Sequence, residues 1–231
     1  MLSLHQPSHS APMFLSFNKE ILRELNKNEH VRYYKKKQVL YYEGNPVVGV
    51  YYIKSGKAKV YKTGPEGRQY TLKLARENDV LALESIFKND SYFSSSSEMV
   101  EDGMVCLVEK QIVLDLLRKD NRLAMSMMMM LASQVISSEE QMVDLAHRAV
   151  RERLARLLLV LSHGYGVKVR QGVKLNLELT REDIAEMIGT CSKSAIRLLS
   201  EMKEDGIVEI KGKDIVILDE MRLVEIAQLD Q

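Results

Sequence analysis

The chain contains no tryptophan, four prolines and only two cysteines, Cys106 and Cys191, in 231 residues. Two thiols are too few for a disulfide scaffold, and neither stands in a CxxC or CxxxC spacing, so both read as reduced thiols. The same scarcity excludes an iron–sulfur cluster, which takes about four cysteines. Long apolar runs are missing: MSMMMMLA at 125–132 is far short of the roughly 20 residues that cross a bilayer. The first twenty residues carry Pro7 and Pro12 among scattered polar groups and no apolar core of signal-peptide length. An excess of one charge is also absent, since 33 Lys and Arg against 32 Asp and Glu leave +1, so binding to nucleic acid must come from a local patch. No GxxxxGK[ST], HExxH, GxSxG or Ser/His/Asp constellation supports catalysis. Haem would need axial ligands, and His5, His9, His30, His147 and His163 read as tail, structural or exposed residues. The expectation is a cytoplasmic protein that is no enzyme, with no metal, no cofactor and no membrane partner.

What is present is the composition of an ordinary globular protein, 45% hydrophobic and 28% charged, long enough for two modest domains. After a helical stretch at 15–28, residues 31–110 break into short β-rich pieces (VLYYEG, VGVYYIKSG, KAKVYKTG, RQYTLKLA, MVCLVEK) separated by glycines, as a small antiparallel β-barrel reads. TGPEGR at 63–68 is a hairpin tip. Tyr51, Ile53, Ala58, Val60, Thr71 and Leu74 are candidates for the inward face, and Cys106 for an inert core thiol. From about Gln111 to Leu161 glycine and proline disappear, and the period becomes helical. Ala124, Met128, Leu131, Val135, Ser138, Met142, Leu145 and Ala149 alternate at four and three residues, a heptad seam roughly 40 Å long. Its length and regularity favour a dimer seam over a face buried on its own domain. Ser138 is its one polar member.

Residues 167–178 read as a hairpin, and 179–218 carry the densest signal. Thr180 with Asp183 is a capping-box start. Ile184, Ala185 and Ile188 form an apolar face, Gly189 to Cys191 a turn, and Ser192 to Asp205 a second helix burying Ala195, Leu198, Leu199 and Met202. Gly206 stops that helix, and IVEIKGKDIVIL is a hairpin with Lys211, Gly212 and Lys213 at its tip. This is a winged helix-turn-helix. Arg197 suits a bidentate guanine contact, with Lys193 and Ser194 beside it on the outward face. Thr180 and Ser192 suit phosphate oxygens, and Lys211 and Lys213 a second phosphate contact from the wing. Double-stranded DNA is the expected partner, although residues 151–231 are not basic on balance. Cys191, near a helix N-terminus, is a candidate for a lowered thiol pKa.

A barrel with GVYYIKSGKAKVY, a long helix and then IGTCSKSAIRLLSEMKEDGIVEI resembles the cyclic-AMP receptor protein family, the Crp/Fnr regulators. The resemblance runs from about residue 20 to residue 220. It implies an α+β architecture: an N-terminal cyclic-nucleotide-binding-like β-barrel (jelly roll) at 1–110, a long dimerisation helix at 111–149 and a winged helix-turn-helix at 150–231. It also implies a homodimer on a palindromic promoter site, RNA polymerase as a partner, and an effector that resets the long helices. The recognition helix departs from the family's Ser/Thr-Arg-Glu-Thr-Val opening, since Cys191, Ser192, Lys193, Ser194 and Ala195 stand there and only Arg197 is kept.

The barrel departs further. Cyclic-nucleotide binders carry a Gly-Glu pair and, about ten residues on, Arg-Ser or Arg-Thr. Aligned on Asp79 and Phe87, those pairs become Ala82-Leu83 and Phe93-Ser94. A buried phosphate without its cation is costly, so cyclic AMP bound in the usual way is not expected. The remaining candidates for an effector pocket are Ala82, Leu83, Phe93, Ser94, Ser95, Ser138 and Glu139. Glu139 reads equally as a solvated surface charge. Two alternatives stay open: a ligand-binding module of this fold without sequence-specific DNA binding, and a constitutive regulator whose barrel is only a scaffold.

Overall fold

The structure, a computed structural model, describes residues 31–228. The helix expected at 15–28 lies outside the described residues. By internal contacts the described chain forms two compact units, one ending at Val135 and one starting at Ile136.

The first unit is built from eight strands: β1 (Val31–Tyr34), β2 (Val39–Tyr41), β3 (Gly49–Ile53), β4 (Ala58–Thr63), β5 (Gln69–Ala75), β6 (Val80–Leu81), β7 (Ser96–Met99) and β8 (Gly103–Glu109). They pair antiparallel in two sheets, β1-β8-β3-β6 and β2-β7-β4-β5. Alternation along β3 and β8 explains why both are buried on two faces. Tyr51, Ile53 and Val105 point between the sheets, where they meet Tyr41, Ala58, Val60, Ala75, Phe93 and Met99. Val50, Tyr52, Cys106 and Val108 point the other way, onto helix α1 (Lys110–Lys119) and the start of α2 (Asn121–His147) through Val113, Leu123 and Met127. Cys106 is fully buried, as expected of a core thiol, and burial pushes it further from ionisation. One inward expectation is corrected. Leu74 pairs with Lys59, while Ala75 pairs with inward Ala58, so Leu74 faces the opposite side of the sheet.

The single long helix expected at 111–149 is two helices. Asp120 is extended, and its carboxylate accepts from the Arg122 backbone N–H at 2.9 Å, replacing a helical bond with a side-chain one. A second break falls at Ala149, also extended, where the Glu152 carboxylate reaches back to the Ala149 N–H at 3.2 Å and starts α3 (Val150–Tyr165). The heptad pattern therefore ends at Leu145, and Ala149 lies outside the helix.

The second unit joins the end of α2 to α3, then the hairpin β9 (Gly166–Val169) and β10 (Gly172–Leu175), where one was expected. Helices α4 (Arg181–Met187) and α5 (Ser192–Glu204), strands β11 (Val208–Lys211) and β12 (Asp214–Ile217), and α6 (Glu220–Ile226) complete it. The four strands form one sheet, β11-β12-β10-β9. Leu154, Leu158 and Leu159 of α3 are fully buried, as are Ile184 of α4, Ala195 of α5 and Leu223 of α6.

Candidate nucleic-acid interface and barrel pocket

The start of α4 is fixed by its own side chains. The Asp183 N–H donates to Thr180 Oγ1 at 3.1 Å, and both the Thr180 N–H and its hydroxyl donate to Asp183 Oδ2, at 2.8 and 2.7 Å. The Thr180 hydroxyl, expected to be free for phosphate, is thus spent on the cap. Gly189 turns the chain with φ of +62°, a left-handed conformation that costs an L-residue about 1 kcal/mol or more. The turn is also held from outside. Arg153 of α3 donates through Nε to the Ile188 carbonyl at 2.8 Å and through Nη1 to the Arg148 carbonyl at 2.8 Å. One guanidinium therefore ties the α2–α3 break to the turn that aims α5.

On α5 the apolar side is consumed by packing, with Ala195, Leu198, Leu199 and Met202 buried. The opposite side presents Lys193, Ile196 and Arg197, all exposed, with Ser192 and Ser194 half-buried beside them. Ile196 was not among the residues expected from sequence, and 48% exposure is unusual for a branched apolar side chain on this face. The Arg197 guanidinium rests on Glu201 Oε1 at 2.8 Å, one helical turn on. An exposed pair of this kind is worth only about 0.3–0.5 kcal/mol, so a base edge displaces it readily. Cys191 is the N-cap of α5. The Ser194 hydroxyl, 3.4 Å from its sulfur, and neighbouring backbone N–H groups hold its thiol below the ordinary range.

The wing tip is anchored by Arg181, whose Nη2 donates to the Gly212 carbonyl at 2.9 Å. Lys211 pairs with Glu209 at 2.7 Å, and Lys213 lies 4.0 Å from Glu178. Both lysines remain exposed, and such pairs open at small cost.

The expected pocket residues do not share one lining. Leu83 packs with Val50, Tyr52 and Cys106 toward the helices. Ala82 and Phe93 lie between the sheets, and the Phe93 ring stacks on Tyr41 at 4.4 Å, in the place the resemblance gives to an arginine. Ser95 is buried beside them, and Ser94 reaches Glu84 Oε1 at 3.5 Å. Of the other two serines, Ser97 donates to the Lys59 carbonyl at 2.9 Å and Ser96 accepts from the Glu43 N–H at 2.9 Å. Ser138 and Glu139 belong to the second unit and are exposed on α2. Sequence reasoning missed Tyr41 and Glu84. Both carry a buried oxygen without a hydrogen-bond partner, the Tyr41 hydroxyl and Glu84 Oε2. Burial, and after it the Glu84 carboxylate, push the Tyr41 phenol well above its usual range, against the pull of the Ser95 and Ser97 hydroxyls.

Along α2 the heptad residues are largely uncovered: Met128 is 54% exposed, Val135 58% and Met142 61%, with Leu145 and Ser138 also exposed and Ala124 and Leu131 half-buried. Among the described residues no helix is long and apolar enough to cross a membrane, and no group of His, Cys, Asp and Glu could hold a metal ion.

Comparison with known proteins matches both units. Residues 152–226 match the Crp-like helix-turn-helix domain, and residues 31–120 match the cyclic nucleotide-binding domain. A global nitrogen regulator of Nostoc sp. is 27% identical over 81% of this chain and 84% of its own length. An anaerobic regulatory protein of Pasteurella multocida is 28% identical over 83% of this chain and 70% of its own. Among solved structures, FixK2 from Bradyrhizobium japonicum superposes with a TM-score of 0.77 at 23% identity, covering 87% of this chain and 98% of that one.

Proposed function

The chain belongs to the Crp/Fnr family of DNA-binding transcription regulators, and we propose that it acts as a homodimer on a palindromic promoter site, with an effector other than cyclic AMP bound in the usual way. The observation that carries the reading is the division of α5: every large residue of one side is buried, while Lys193, Ile196 and Arg197 stand clear of the protein on the other. A helix presented so by a rigid turn fits a major groove. Arg197 reads guanine, Lys193 and Ser192 contact phosphates or bases at the helix start, and Lys211 and Lys213 reach the backbone from the wing. The uncovered heptad residues of α2 support the dimer, because a second copy of the same helix supplies the apolar partner they lack. Two α5 helices related by that dimer would meet half-sites about one DNA turn, roughly 34 Å, apart. The protein works in the cytoplasm by occupancy and not by catalysis, and RNA polymerase is its partner at the promoter.

The test is equilibrium binding to DNA fragments over a range of salt. Several phosphate contacts per dimer impose a steep linear fall of log K with log salt. A flat salt response, or equal affinity for all fragments at physiological salt, would refute the DNA-binding reading and leave a ligand-binding module.

A further inference from the structure

The barrel's departure from a phosphate site goes beyond the loss of a cation. Glu84 stands one place after Leu83, and its carboxylate takes a direction that Leu83 does not. Its Oε1 accepts only a long bond from Ser94, at 3.5 Å, and its Oε2 is buried with no partner. No lysine or arginine pairs with it among the described residues. The Tyr41 hydroxyl, in the same neighbourhood, is likewise buried and meets no partner at hydrogen-bonding distance, although the Ser95 and Ser97 hydroxyls lie near enough to pull on it. Burial first, and then the Glu84 charge, oppose its ionisation. Ser94, Ser95 and Ser97 add hydroxyls, and Tyr41, Phe93 and Tyr51 add aromatic walls with centroids 4.4 Å (Tyr41–Phe93) and 5.1 Å (Tyr41–Tyr51) apart.

A buried carboxylate oxygen with no donor is costly unless something supplies a positive partner. An anion would be repelled by it. An ammonium or guanidinium group answers each feature: it donates to Glu84, donates to the phenol oxygen of Tyr41, and is stabilised by aromatic faces. We propose that the barrel of this protein takes a small organic cation, bound by Glu84 and Tyr41, where its relatives' domain is named for cyclic nucleotides. The inference rests on the reading of the barrel as the effector domain.

The experiment is thermal unfolding of the full chain, wild type against Glu84→Gln and Tyr41→Phe, with agmatine as probe and cyclic AMP and sodium phosphate as controls. Without any probe, Glu84→Gln removes a carboxylate oxygen that has no partner while keeping size and shape, so its Tm should rise by about 3 °C. With agmatine, the wild type should show a saturable rise that Glu84→Gln loses and Tyr41→Phe weakens, while cyclic AMP and phosphate give none. A fall or no change in the Tm of the probe-free Glu84→Gln protein would overturn the proposal, because the carboxylate would then already be satisfied. So would an agmatine shift that survives Glu84→Gln, an absent agmatine shift, or a saturable shift with cyclic AMP. Salt-dependent DNA affinity measured on wild type and Glu84→Gln without probe reports on the helix-turn-helix alone, and so separates failure of this inference from failure of the regulator reading.

Discussion

Val135→Asp isolates the dimer seam. Val135 is 58% exposed in the single chain, so the substitution removes little packing from the protomer, and surface changes of this kind stay within about 0.5 kcal/mol of wild-type stability. In a two-fold dimer the same change is made twice. Burying the exposed half of a valine contributes about 1 kcal/mol, so two valines lose about 2 kcal/mol. Two carboxylates forced into the seam add desolvation and mutual repulsion, together at least another 2 kcal/mol or so. A total near 4 kcal/mol weakens dimerisation about 1,000-fold. Sedimentation equilibrium at micromolar protein should therefore show a monomer with a wild-type far-ultraviolet spectrum. Affinity for a palindromic site should fall to that of a half-site. A Val135→Asp protein that sediments as a dimer with unchanged affinity would refute the seam, and with it the idea that the exposed residues of α2 await a second copy.

Arg197→Ala should cost about 1–3 kcal/mol on the selected operator and relax discrimination at one base pair, while Lys193→Ala should weaken all sites more evenly; competition titrations against single-base variants separate the two. Ile196 is placed to cover a thymine methyl beside the Arg197 contact. Replacing that thymine by deoxyuridine should weaken wild-type binding about fourfold, and should leave Ile196→Ala unaffected in the same titration. The Cys191 thiol, held low chiefly by Ser194, should alkylate with a midpoint below the ordinary value of about 8.5, and Ser194→Ala should move that midpoint up. The sign follows from the thiolate being the form that Ser194 stabilises. Iodoacetamide rates read by mass spectrometry across pH 6–9 check it, with buried Cys106 as the unreactive internal control.

The features legible in the sequence were those that one or two neighbouring residues determine. Thr180 and Asp183 cap α4 across three residues, and Gly189 and Gly206 mark turns because their φ is positive. The buried set of α5 followed from helical period alone. Features set by distant partners were not legible. The inward face of β5 depends on its register against β4, which shifts between Val60 and Tyr61; Leu74 was chosen for its apolar character against the alternation that runs from Thr71 to Ala75. The break at Asp120 left a weak signal, an aspartate followed by asparagine inside a helical run, both of which compete with the backbone for its hydrogen bonds. Ile196 lies off the face that the helical period of α5 buries, so its exposure was legible too, and it escaped notice only because an apolar side chain was not sought among the groups that contact DNA. Tyr41 and Glu84 come from different strands and turns, and nothing local in either suggests that their oxygens end up buried together.

The turn at Ala82 explains how a cassette can keep its shape while its chemistry changes. Ala82 holds φ of +62°, where the family pattern has glycine, at a cost of about 1 kcal/mol or more. Such strain persists only where the surroundings over-determine the conformation. They do so here. Asp79, just before the turn, accepts the Arg76 N–H at 2.9 Å and offers its own carbonyl to the Ile53 N–H at 3.0 Å. Tyr51 and Tyr52 pair with Leu81 and Val80, and the Ser85 N–H closes the turn onto the Ala82 carbonyl at 3.2 Å. The backbone path is thus set by β3 and by the turn's own hydrogen bonds, independently of what the side chains bind. That leaves residues 83 and 84 free to exchange roles: Leu83 goes to the core under the helices, and Glu84 brings the carboxylate to the barrel from one position later. A site tied to the path in this way can lose its cation and keep an acid, and its ligand preference then reverses sign without any change of fold.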